Sequence, residues 1–175
     1  SFYDVGEHNH IRLRGADWND GLDMAEERGE SVAFTALYGG NLKNLAQDIK
    51  DYSDKTGKDT VSIAKEILML LEADSSIYDS IGEKNALLEK YCDEVGHIIS
   101  GEKTEVKCDW LADKLTEMSN WITDHIRNTE WTSDKEGNSW FNGYYDNSGK
   151  AVEGDFESGV RMMLTGQVFT VMSGV

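Results

Sequence analysis

The spacing of apolar residues between Ser31 and Trp131 constrains this chain more than any other feature of its sequence. Phe34, Leu37, Tyr38, Leu42, Leu45, Ile49 and Tyr52 recur mostly at three- and four-residue steps, the period that lines one face of an α-helix. The same step recurs in Val61, Ala64, Ile67, Leu68 and Leu71, in Leu87, Leu88, Tyr91, Val95 and Ile98, and in Leu111, Leu115, Met118, Ile122 and Ile126. Between these runs, Thr56-Gly57-Lys58-Asp59, Ala73-Asp74-Ser75-Ser76 and Ser100-Gly101-Glu102-Lys103 carry turn chemistry. The pattern predicts helix after helix joined by polar loops, an all-α chain. Gly39 and Gly40 fall inside the first run, where each weakens a helix by about 1 kcal/mol relative to alanine. They either permit a close helix contact or mark a break.

The flanks read differently. Residues 1–30 show no sustained period and are punctuated by Gly6, Gly15, Gly21 and Gly29, none spaced as a phosphate-binding loop requires. After Trp131 the chain turns Gly-, Asn- and Asp-rich, and residues 140–149, W-F-N-G-Y-Y-D-N-S-G, suggest a short strand or hairpin carrying aromatics. The last residues read as the opening of an apolar helix, and the absence of an initial Met adds to the expectation of a piece of a longer polypeptide. The expected organisation is one unit over 1–175: a loop region over 1–30, helices over 31–130, then a hairpin and the start of a further helix over 131–175.

Charge excludes some partners. With 17 Lys and Arg against 33 Asp and Glu, the formal charge of −16 repels phosphate backbones and anionic leaflets, so neither nucleic acid nor a membrane is expected as a partner. No apolar run approaches the ~20 residues of a membrane span. Cys92 and Cys108 form no C-x-x-C motif and read as thiols of a reducing, cytoplasmic compartment.

The chemistry concentrates in Asp17-Trp18-Asn19-Asp20-Gly21. A loop Asp whose pKa is raised by burial can protonate a leaving oxygen, and an indole offers the flat apolar face on which sugar rings pack. The same residue types also make a polar turn, because Asn and Asp satisfy turns with their own side chains. His8 and His10 would face the same way on a strand, but two ligands without a third make no metal site, and none is expected. His97 and His125 stand alone as surface or core histidines. The run Glu26-Glu27-Arg28-Gly29-Glu30 reads as a solvated face or a helix entrance, and Trp110, Trp121 and Trp131 read as packing residues of the fourth helix and its exit.

Taken together, Gly15-Ala16-Asp17-Trp18-Asn19-Asp20-Gly21-Leu22 and Gly29-Glu30-Ser31-Val32 resemble the catalytic-loop signature of the inverting β-glycoside phosphorylases, glycoside hydrolase family 94. Gly6-Glu7-His8-Asn9-His10-Ile11 is similar to the approach to that loop, and residues 144–149 and 165–174 to the family's later hairpin and helix. Residues 55–105 carry no such likeness. The resemblance implies that Asp20 is the general acid and that Trp18 lies in the sugar site, with Asp17 and Asn19 in support. It also implies a catalytic domain built as an (α/α)6 barrel, of which this chain would supply part.

The implied reaction is phosphorolysis of β-linked gluco-oligosaccharides. Asp20 as COOH protonates the glycosidic oxygen while inorganic phosphate attacks the anomeric carbon from the opposite face, giving α-glucose 1-phosphate. Phosphate is already a nucleophile, so no second carboxylate is needed to activate water, and no cofactor enters. The family's phosphate site draws on other parts of its catalytic domain. The 175 residues alone are therefore expected to be inactive, to need the rest of the parent domain as partner, and to expose apolar stripes that invite self-association. Two rivals stand beside this reading. In a helical-toroid hydrolase Asp17 or Glu30 would act as base; in a non-catalytic carbohydrate-binding or scaffold segment Trp18 would be a binding platform only.

Overall fold

Ser31 joins the two kinds of structure in this chain. It is the second residue of strand β2 (Glu30–Ser31) and also caps the longest helix, α1 (Val32–Thr56), its hydroxyl accepting the Phe34 N–H at 3.0 Å. The computed structural model describes residues 2–15, 25–96 and 98–175. Helix α1 ends where Gly57 takes a left-handed conformation, φ 68°, and donates its N–H to Ser53 O.

Helix α4 (Cys108–Thr129) packs along α1 and forms the centre of the core. Val32 and Ala36 of α1 meet Ile122 and Ile126 of α4; further along, Ala46 and Ile49 meet Leu111, Ala112 and Leu115. Gly39 is what lets the axes approach. An added Cβ would lie 2.8 Å from Ile122 Cγ2, and the Ser119 hydroxyl donates to Gly39 O across the same contact. The glycine pair thus marks a close contact, and the helix continues through it without a break.

The expected all-α architecture, part of an (α/α)6 barrel, is overturned: the chain is mixed α/β. Among the described residues there are four small antiparallel sheets. Strand β1 (Ile11–Arg12) pairs with β2, which pairs in turn with β7 (Tyr144–Tyr145). A second sheet pairs β3 (Thr60–Ala64) with β4 (Lys103–Lys107) over five residues. Hairpins β5 (Trp131–Ser133) with β6 (Ser139–Phe141), and β8 (Gly154–Phe156) with β9 (Gly159–Arg161), complete the set.

The physical reason is visible in the second expected helix. Thr60-Val61-Ser62-Ile63-Ala64 alternates the apolar β-branched Val61 and Ile63 with the smaller Thr60, Ser62 and Ala64, and its partner lies about forty residues away, so a three-to-four step read from Val61, Ala64 and Ile67 mistakes a strand for a helix. Helix resumes only as a 3-10 turn at Lys65–Ile67 followed by α2 (Leu68–Leu71). The third run forms α3 (Ile81–Val95) and stops before Ile98, which lies exposed. Helix α5 (Leu164–Ser173) packs on α1 and leaves Leu164, Val171 and Met172 exposed. Among the described residues no helix is long and apolar enough to cross a membrane.

Candidate functional site

Asp17, Trp18, Asn19 and Asp20 lie outside the described residues, as does His97. The chain on either side of residues 16–24 is described, and it is tightly held. Leu13 is buried and donates its N–H to Gly29 O at 2.9 Å; Ala25 is buried and accepts the Gly29 N–H at 2.9 Å. Gly29 has no room for a Cβ between Ala25 and Leu13. The β1–β2 register sets Arg12 opposite Glu30, so the described chain before residue 16 and that after residue 24 are joined by an antiparallel pair. Arg14 makes a two-pronged bond to Asp4, and Arg28 does the same with Glu7.

Beneath this pair lies a buried polar cluster. Residues 6–10 form a turn, with Asn9 at φ 64° and the Gly6 N–H bonded to His10 O. The turn wraps the Glu30 carboxylate, which is fully buried. Its oxygens accept the backbone N–H groups of His8 and His10, at 3.0 to 3.1 Å, and the His8 ring at Nδ1, 2.8 Å. Glu30 therefore belongs to the interior, which corrects the solvated-face alternative at that residue; Glu26, Glu27 and Arg28 are exposed, and the run does lead into the Ser31 cap of α1.

His10 turns the other way, its Nε2 2.9 Å from the buried carboxylate of Glu130, just past the end of α4. The Asn142 amide, the Thr129 hydroxyl and the Tyr145 hydroxyl also donate to Glu130, each at 3.0 Å. Burial opposes the charge of Glu130, but hydrogen bonds from His10, Asn142 and Tyr145 outweigh it and hold the carboxyl at about 2. His125 sits behind, its Nε2 donating to His8 O at 2.9 Å and its ring stacked on Trp121; burial lowers its pKa.

The histidines of the 7–10 run are thus not a chelating pair on a strand. Each imidazole is committed to a different carboxylate, and among the described residues no cluster of three or more metal-ligating side chains occurs. The three tryptophans also diverge: Trp121 packs in the core, whereas Trp110 and Trp131 are exposed, the latter touching Phe141 edge-on. Cys92 is exposed and Cys108 buried, and both are free thiols.

A second buried charge faces the N-terminal turn. Lys84 of α3 is fully buried, its ammonium donating to Asn9 Oδ1 at 2.9 Å and lying over the Phe2 and Trp121 rings at 4.2 and 3.8 Å. Burial pushes it down to about 7, although Asp79 and the two ring faces favour the charged form. The cavity beside it, lined by Phe2, Asn9, Lys84 and Trp121 among others, is about 40 Å³. That is room for water and not for a sugar ring.

Sequence reasoning missed Glu130, Asn142, Tyr145 and Lys84. Glu130 follows a helix end and Lys84 stands among charged neighbours, so neither carries a local sign of burial. A scan of family models returns no match to this chain, and a search of curated proteins returns none.

Proposed function

We propose that this chain carries the general-acid loop of an inverting β-glycoside phosphorylase acting in the cytoplasm, with Asp20 as the acid and Trp18 as a sugar contact. The observation that carries the reading is the run Asp17-Trp18-Asn19-Asp20 followed by Gly29-Glu30-Ser31-Val32. The held flanks support it. A catalytic loop needs a rigid base, and here the described chain on either side of residues 16–24 is joined at the Arg12–Glu30 pair over a cluster in which the two buried carboxylates are multiply hydrogen-bonded.

The state of Glu30 bears on the choice between phosphorylase and hydrolase. An inverting hydrolase needs a carboxylate that can take a proton from water on the far face of the sugar. Both Glu30 oxygens are already occupied by N–H groups and none of the side chain reaches solvent, which removes it as that base. A reaction that uses phosphate as nucleophile has no need of one.

The test is to incubate the polypeptide containing residues 1–175 with β-linked glucose disaccharides and oligosaccharides, with and without phosphate, and to follow products by NMR. α-Glucose 1-phosphate formed only with phosphate is the expected result, and Asp20→Asn should lower its rate at least a hundredfold, the scale of a general acid's contribution. Glucose release independent of phosphate, or full activity in Asp20→Asn, would overturn the assignment.

A further inference from the structure

We propose that His8 is a substrate-binding residue whose Nε2 accepts a hydrogen bond from a hydroxyl of the bound sugar. The inference rests on the carbohydrate reading above and extends it to a residue outside the Asp20 loop.

The geometry begins with Glu30. Each of its oxygens accepts backbone N–H groups from the 6–10 turn, so the carboxylate is the acceptor throughout and His8 Nδ1 is the donor in their 2.8 Å contact. In a neutral imidazole the proton on Nδ1 leaves a lone pair on Nε2. That nitrogen has no partner among the described residues and is not among their buried unpaired polar atoms, and the His8 side chain is 31% exposed while Glu30 is 0%. The ring is therefore anchored at its buried edge and open at the other.

Its plane is fixed as well. Tyr145 stacks on it with centroids 3.6 Å apart and planes 8° from parallel, and the Tyr145 hydroxyl is held by both oxygens of Glu130. The β2–β7 register accounts for this, because Glu30 and Tyr145 are paired residues and bring the ring's anchor and its stacking partner to one place. The His10 ring is fully buried against Glu130, whereas His8 presents one oriented ring edge to solvent beside the Arg12–Glu30 pair. A fixed acceptor repels anions and selects a neutral donor, which a sugar hydroxyl supplies.

Two substitutions separate binding from structure. His8→Asn keeps a donor near the Nδ1 position for Glu30 and deletes Nε2; His8→Gln sets an amide carbonyl near the Nε2 position. On the polypeptide containing residues 1–175, circular dichroism should show both variants folded. Cellobiose and other β-linked glucose disaccharides, titrated into ¹⁵N-labelled protein, should shift the His8 Nε2 resonance. Affinity should fall about tenfold in His8→Asn and largely recover in His8→Gln. No disaccharide binding, binding that leaves Nε2 unmoved, or unchanged affinity in His8→Asn overturns the inference. Failure of the two readings is distinguishable. Binding through Nε2 without α-glucose 1-phosphate refutes the phosphorylase alone, whereas full turnover with an unimpaired KM in His8→Asn refutes the role of His8 alone.

Discussion

Glu130 shows how far one residue's neighbours can move its chemistry. Its carboxyl is held at about 2 against an ordinary 4.5, so between those values the unfolded chain binds the extra proton and the folded chain does not. Stability from this group is present above pH 4.5 and lost as pH falls towards 2. Glu130→Gln should be less stable than the parent chain at pH 7 by on the order of 3 kcal/mol, with the gap closing below pH 4.5, measured by urea unfolding across pH. Lys84 shifts in the same direction, but there the lowered pKa favours the neutral form. Its folded value of about 7 lies below the ordinary 10.5, so the folded chain binds fewer protons than the unfolded one in that window and stability rises with pH. Lys84→Met should flatten that rise between pH 7 and 9 in the same unfolding experiment. Neither residue announces itself in sequence, because burial is conferred by Tyr145 and Asn142 in one case and by Phe2 and Trp121 in the other.

At the scale of elements, the helix pair α1–α4 and the aromatic strands within residues 139–145 were legible, and the other strands were not. A long helix repeats its apolar step many times, and Leu111, Leu115, Met118, Ile122 and Ile126 all prove buried on one face of α4. Strands of two to five residues offer no such repetition, and β3 was read as helix for that reason. Gly39 lies between these cases: its place in the helix could be read, but only packing shows why it is glycine. Alanine would gain about 1 kcal/mol of helix propensity, yet its Cβ would press on the stiff, buried Ile122, a strain of about 1–3 kcal/mol. The expected outcome for Gly39→Ala is net destabilisation of about 1 kcal/mol, measured by chemical unfolding; a stabilised variant would refute the close-contact account.

Across the whole molecule, distant segments meet at β2. The N-terminal turn lies on one side of it and β7, more than a hundred residues later, on the other, while Glu130 comes in from the end of α4. From sequence alone came the strong helices, with Gly57 ending the first, and the run of residues 17–20 on which the proposed sugar chemistry rests. These are properties of neighbours in the chain, set by periodicity, capping and local residue type. The mixed architecture, the burial of Glu30, the separation of His8 from His10 and the charge held by Glu130 came only from tertiary structure. Each depends on which remote residue supplies a hydrogen bond or excludes water, and a linear pattern carries no record of that.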